Sequence, residues 1–410
     1  SEVGNLTDTM QETENRRLWD ERKTYGAIGV LERDRQSYFP EGIRMGNYVV
    51  LPSGQVQLLH RDNVYFTKEN RVSDFAIQVD PRIRMISRFA RHALNIDVGG
   101  RYTGHRNETN LDTLGGYASA EGALYINHAH TLSFSLLSDY RHEEQLASFQ
   151  QTAAHEYTPV WHKRAEIGIT RDAGRLATTL GFSYNDWNFD NVESRDGAVI
   201  EQDFRDTTVY LADAAAKYKF SPGYFAKARI AGLRTLRDTA SGKSGASWGM
   251  DVAVGVKGEA SPRFHWDLMV GYGLRQFDDP DTVDAHAMLF KFDVQWFLAP
   301  RLTLKASGKR DFDFTDEAAG IMLTLFGVGA DIEIRDDLVA TLAGAYGFSE
   351  DLGKSEAGKD HVASLSAQLT YYHTKHLHLN AGYEFDYRAS DLTGDDVGEN
   401  TFRVGGKLLF

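Results

Sequence analysis

Charged residues recur at every second position in several stretches, and that spacing is the main chemical signal in the sequence. Arg82 and Arg84 flank one apolar residue, and so do Arg164 and Glu166 and, around an aromatic, Asp139 and Arg141 and Glu384 and Asp386. Asp97 precedes Arg101, Lys305 precedes Lys309, and Arg229 and Arg403 are single cations in stretches of the same kind; Asp331 and Glu333 extend the set. Residues two apart share one face of an extended strand. On the wall of a tube, opposed rows of charge would set up a transverse field and a selective constriction. The plainer alternative is that these charges pair with one another across strands and through water.

Other chemistry is less well supported by spacing. His373, His376 and His378 in YYHTKHLHLN have metal-ligating atoms but no clear third ligand, so a turn lined with polar residues is the preferred reading. Asp278, Asp279, Asp281, Asp395 and Asp396 could bind calcium, but they lack the spacing of a defined calcium loop. No GxSxG-like element occurs, and the chain has no cysteine. Disulfides, thiolate metal sites and cysteine nucleophiles are therefore excluded. The chain reads as a non-enzyme with no cofactor.

The elements that would hold the charge rows follow from composition. The chain has 410 residues, 38 glycines, 8 prolines, 19 tyrosines and 23 phenylalanines. No stretch approaches the run of ~20 apolar residues that a membrane helix needs. Mean hydropathy is below zero, which a transmembrane barrel shares with soluble proteins because its inward residues are polar. A formal charge of −13 argues against a nucleic-acid partner.

From Met45 onward the pattern has a period of two. Phe75, Ile77, Val79, Ile83 and Met85 oppose Asp74, Gln78, Asp80, Arg82 and Arg84. Leu132, Phe134, Leu136 and Tyr140 oppose Ser133, Ser135, Asp139 and Arg141, and Leu377, Leu379, Tyr383, Phe385 and Tyr387 oppose His378, Asn380, Glu384, Asp386 and Arg388. Short turns, as at 89–92, 172–174 and 221–223, alternate with longer polar connections, as at 105–112, 143–158 and 188–203. That alternation predicts an all-β, up-and-down antiparallel transmembrane barrel with tight periplasmic turns and longer outer loops. The count is about eighteen strands, with sixteen as the alternative. Aromatics at strand ends of the apolar face (Tyr102, Tyr140, Trp161, Tyr383, Tyr387 and Phe410) fit interface girdles. In lipid every backbone group must be paired, so such a sheet has to close.

The two ends carry distinct signals. Residues 1–45 are charged and poor in β-branched residues. They are expected to stand apart from a barrel of residues 46–410, as a periplasmic tail, a plug folded into the lumen or a docking arm. A secretion signal is expected to have been removed ahead of Ser1. The closing stretch TFRVGGKLLF places Phe402, Val404, Leu408 and Phe410 on one face. It resembles the C-terminal signal of bacterial outer-membrane barrels, in which the last strand closes the ring and the barrel-assembly machinery reads the final Phe.

Residues 29–97 carry a further resemblance. Its pieces are Glu32-Arg33, Gly42-Ile43-Arg44 with Gly46, Leu51-Pro52-Ser53, Asp62-Asn63-Val64-Tyr65, Ser73-Asp74-Phe75, and Ser87-Arg88 with Arg91-His92-Ala93-Leu94-Asn95. Together they resemble the opening segment of a family of outer-membrane β-barrel porins. Members are often encoded beside capsular or exopolysaccharide export genes in Gram-negative bacteria. Arg35-Gln36 departs from the family, which has a proline-containing motif there. The resemblance implies a wide barrel in the outer membrane, among lipid and lipopolysaccharide, through which a polymer leaves the cell with a periplasmic export partner. Two alternatives stay open: a scaffold barrel plugged by its N-terminal segment, and a general diffusion porin. Oligomeric state is open as well.

Overall fold

Strand formation follows from the alternation itself. Each apolar row needs a greasy surrounding and each polar row needs water, and only an extended chain with a period of two separates them residue by residue. The computed structural model describes residues 28–33, 35–143, 156–194, 196–238, 244–259, 261–313, 321–351, 359–390 and 396–410. Among them eighteen strands form one closed antiparallel ring. The count of eighteen therefore stands, and sixteen is set aside.

The first six are β1 (Tyr48–Arg61), β2 (Asp74–Ser87), β3 (Ala93–His105), β4 (Thr113–Tyr125), β5 (His130–Glu143) and β6 (Thr158–Ala173). Next come β7 (Leu176–Phe189), β8 (Thr207–Ser221), β9 (Tyr224–Arg237), β10 (Ser247–Gly258), β11 (Phe264–Phe277) and β12 (Ala285–Ala299). The ring ends with β13 (Leu302–Asp313), β14 (Ile321–Arg335), β15 (Leu338–Asp351), β16 (Lys359–Tyr372), β17 (Leu377–Ser390) and β18 (Asp396–Leu409). Strand lengths run from 12 to 16 residues, longer than the ~9–11 needed to span, so the ends project beyond the bilayer.

Closure is made by β18 on β1, in register from Ser53 opposite Leu409 to Arg61 opposite Thr401. Pro52 lies just outside that ladder and accepts the Phe410 N–H on its carbonyl at 3.1 Å. A strand residue points its N–H and C=O to the same side, so the donor that proline lacks falls where β18 has already ended. The strand begins at Tyr48, three residues ahead of the Leu51-Pro52-Ser53 motif. A three-residue strand, Ile43–Met45, folds back on Tyr48–Val50 below the end of β18. Its turn uses Gly46 at φ +57°, a left-handed conformation that glycine adopts without penalty. The tight turn between β6 and β7 uses Gly174 in the same way, at φ +77°.

The outer face is an apolar band. Val254, Val270, Val328 and Leu365 each expose more than half of their surface. Val254 stands beside Val270, which stands beside Phe290, so the band runs unbroken from strand to strand. Trp161 and Trp248 sit near the outer-loop ends of their strands, and Tyr218, Phe264 and Trp296 near the short-turn ends. These are the two aromatic girdles that a bilayer-spanning barrel needs. Two small apolar clusters lie at opposite mouths: Val64, Tyr65, Leu111 and Tyr157 under the outer loops, and Val30, Val339 and Tyr372 with Tyr38 at the short-turn end.

Candidate functional site

Because successive side chains alternate, the residues between the lipid-facing positions line the interior. The ladder puts Arg82 and Arg84 on the opposite face of β2 from Phe75, Ile77 and Ile83. The Arg82 Nε donates to Asp97 Oδ1 at 2.8 Å, and the Arg84 Nε lies 3.4 Å from the same carboxylate. Tyr117 donates its hydroxyl to Asp97 at 3.1 Å. Its ring lies flat against Gly99, where an added Cβ would sit 2.6 Å from the ring carbon Cε1. Arg101 donates to Asp80 at 2.6 Å. One patch of β2, β3 and β4 thus holds three guanidinium groups against two carboxylates.

The remaining charges of the sequence-derived set fall around the ring. Arg141 and Asp139 approach within 3.4 Å on β5, and Arg164 and Glu166 within 3.7 Å on β6. Arg229 of β9 reaches Asp213 of β8 at 3.3 Å, and Lys305 of β13 reaches Asp331 of β14 at 2.6 Å. Arg403 of β18 donates to Glu384 of β17. Lys309 lies opposite Lys291 in register, and Asp386 lies opposite Ser364 and Glu399. The wall therefore carries rows of both signs, with most charges already next to an opposite one.

Some interior groups gave no sequence signal. His162 of β6 and Trp187 of β7 face inward and stack with centroids 4.7 Å apart and planes 3° from parallel. Within NDWNF Trp187 shares a face with Phe189 and opposes Asp186 and Asn188, which reads as the apolar face; the outward Leu180 and Phe182 set the parity that turns Trp187 inward, and only the register joins it to His162. At the outer mouth Arg205 and Glu143, both buried, form an ion pair of 2.7 Å. Arg61 donates to the Tyr157 hydroxyl at 2.7 Å, which in turn donates to the Val64 carbonyl at 3.3 Å. That chain of bonds ties β1 to the residue just before β6. A general diffusion porin needs a long loop folded inward, for which the connections at 143–158 and 188–203 are the candidates; of these, residues 144–155 lie outside the described residues. In 188–203, Val192 and Gln202 are buried and a two-residue hairpin, Val192–Glu193 with Val199–Ile200, precedes a single 3-10 turn.

The histidine group divides among separate tasks. His378 hydrogen-bonds the Tyr38 carbonyl through Nε2 at 2.8 Å, His376 lies 2.8 Å from the Leu409 carbonyl through Nδ1, and His373 rests against Tyr371. Among the described residues no group of three or more His, Asp or Glu side chains could hold a metal ion.

The short-turn mouth is occupied by residues 28–33 and 35–39. Val30 is 1% exposed and packs with Val339 and Tyr372, and its N–H donates to Thr303 Oγ1 at 3.0 Å. Arg33 and Arg35 both donate to the buried Glu333, at 3.1 and 2.8 Å. Tyr38 stacks on Tyr372, Phe39 packs against the same ring at a tilt, and Phe39 meets His378 edge-on. Arg35, a departure from the family motif, thus has a defined partner. The remainder of the N-terminal segment, residues 1–27, lies outside the described residues.

With the ring and its lining in view, comparisons place the chain. The family described as "Putative beta-barrel porin 2" matches residues 36–410. The chain belongs to this porin family. It is a β-barrel protein of the bacterial outer membrane. No curated protein matches the porin. Among solved structures it is similar to the outer membrane protein OpdK of Pseudomonas aeruginosa, at 11% identity and a TM-score of 0.47, over 88% of this chain and 99% of that one. It is similar to OccAB3 of Acinetobacter baumannii, at 11% identity and a TM-score of 0.46, over 89% of this chain and all of that one. It is also similar to the siderophore receptor PirA of P. aeruginosa, at 9% identity and a TM-score of 0.41, over 88% and 80%.

Proposed function

We propose that this porin is a passive channel for hydrophilic, charged solutes, and that its path is the polar inner face of the ring. The observation that carries this reading is the charged lining from Arg84 near the short turns to Arg141 near the outer loops. Such groups need water or opposite charge, and a ring of eighteen strands is wide enough for water. On this reading Arg82, Arg84, Asp97, Arg101, Asp139, Arg141, Arg164, Glu166, Arg229, Lys305, Lys309, Glu384, Asp386 and Arg403 line the path. The full chain reconstituted in a planar bilayer is expected to show stepwise ionic conductance; a silent bilayer with verified insertion would remove the channel reading.

Export of an exopolysaccharide or capsular polymer with a periplasmic partner is the second, finer reading. It rests on the resemblance of residues 29–97 and on the inward His162–Trp187 stack, an aromatic surface of the kind on which a sugar ring can lie. Deleting the gene in its host and measuring surface and intracellular polymer separates the two. Loss outside with accumulation inside favours export, and normal polymer with altered uptake of small solutes favours diffusion.

The outward face of β18 (Phe402, Val404, Leu408 and Phe410) is proposed to be read by the barrel-assembly machinery. Phe410→Ala is expected to lower the amount of folded barrel in the outer membrane severalfold. The check is heat-modifiable mobility of the membrane fraction, and an unchanged folded fraction would rule this role out.

A further inference from the structure

Residues 28–33 and 35–39 form a strap across one mouth whose mode of attachment differs from that of every strand beside it. The strap touches the inner wall on six consecutive strands, through Phe297 of β12, Thr303 of β13, Glu333 of β14, Val339 of β15, Tyr372 of β16 and His378 of β17. All six lie within a few residues of the short turns, so the contact is a lateral one at the periplasmic mouth. Yet among the described residues no backbone-to-backbone hydrogen bond joins the strap to the ring. Its own bonds are internal, from Glu32 to Gly29 and from Tyr38 to Arg35, with the Arg35 guanidinium closing on the Val30 carbonyl at 2.8 Å. The ladder resumes only at Ile43–Met45. Between strap and ladder lie Pro40, which fixes its own φ, and Gly42 at φ +77°.

Every contact that holds the strap therefore has a side chain on at least one side. The strap can leave the wall without breaking the sheet, and water can replace its polar contacts in a wet lumen. The contacts that resist departure are the Val30 side chain, the Tyr38 and Phe39 rings, and the two guanidinium groups on Glu333.

The charge arrangement gives that departure a consequence. Glu333 is 6% exposed and also faces Arg301 at 3.6 Å, while the neighbouring Asp331 is matched by Lys305. In place, the strap sets Arg33 and Arg35 on Glu333 and brings Glu32 with them. Displaced, it uncovers the Glu333 carboxylate to the lumen. We infer that residues 28–33 and 35–39 belong to a displaceable strap that narrows the periplasmic mouth and is latched there through Arg33 and Arg35 on Glu333. Strap displacement increases conductance. This rests on the channel reading.

The test uses the full chain, whose lack of cysteine makes a designed bridge clean. Val30→Cys combined with Val339→Cys locks the strap to β15 under oxidation. Oxidised bilayers are expected to show only the smaller conductance, and reduction is expected to restore larger, fluctuating steps. Glu333→Gln weakens the hold of both arginines and should raise the time spent in the larger state severalfold; Arg33→Ala with Arg35→Ala should do the same. Heat-modifiable mobility verifies that each variant is folded. Identical conductance in oxidised, reduced and unmodified chains would overturn the strap proposal while leaving the channel reading intact. Absence of conductance in every form, with insertion verified, would overturn the channel reading and this inference together.

Discussion

Leu365→Arg is expected to destabilise the folded barrel by about 2–4 kcal/mol, whereas Ser366→Arg, one residue away, changes it far less. Leu365 lies midway along β16 and exposes 58% of its surface on the outer face. A guanidinium there meets hydrocarbon, and charge at the bilayer midplane costs about 2–4 kcal/mol. Ser366 points the other way and lies opposite Glu384 in register, so an arginine there enters a polar, hydrated wall. Urea titration of barrels folded into lipid vesicles gives both values. Equal effects would mean that the apolar face of β16 is not in lipid, and would contradict the orientation of the whole ring. The same contrast is available on β14, where Val328 is 65% exposed and Gly329 faces inward beside Lys305.

The second large effect is expected at Asp97. Asp97→Asn leaves Arg82 and Arg84 without the carboxylate they share, and Arg101 with Asp80 lies one step along the same wall. A full unit of positive charge is then added to the patch. At about 4 Å in water one unit charge acts on another with about 1 kcal/mol, equivalent to about a five-fold rise in the local anion concentration and a matching fall in that of cations. Reversal potentials of the full chain in a potassium chloride gradient should shift toward anion preference by that order, and the shift should shrink at high salt as screening shortens the range. Stability should fall by about 1–3 kcal/mol as the Tyr117 hydroxyl and both guanidinium groups lose a charged acceptor. A loss of stability with no change in selectivity would assign the patch to structure alone.

These two expectations draw on different sources. The orientation of Leu365 and Ser366 is a matter of parity, and parity is written in the chain. A residue on a strand cannot choose its face independently of its neighbours, so the apolar row fixes the polar row. The inward placement of Arg82, Asp97, Arg164, Glu166 and Arg403 was legible for that reason. Who meets whom across strands was not. Asp97 meets Arg82 because β2 and β3 pair Arg82 with Gly99 and Arg84 with Asp97, a register set by the turn at residues 88–92. The Trp187–His162 stack and the Arg61–Tyr157 bond depend on register or on loop path in the same way.

The N-terminal segment marks the other limit. Its charge and lack of strand signals set it apart from the ring, with a tail as the default and plug and docking arm as alternatives. Val30 and Arg35 look unremarkable in sequence because their partners, Val339 and Glu333, lie some three hundred residues away. Likewise Arg35 reads as a departure from a family motif until Glu333 is seen beneath it.

By itself, the sequence determined the strand type, the lipid-facing and lumen-facing residues and an approximate strand number. Each of these follows from a local rule, a two-residue period interrupted by turn residues. Only the tertiary structure decided that the ring closes at eighteen strands through β18 on β1, which charges neutralise one another, and that residues 28–33 and 35–39 lie inside a mouth. Those depend on contacts between residues far apart in the chain, where many registers satisfy the same alternation and the geometry of closure selects one.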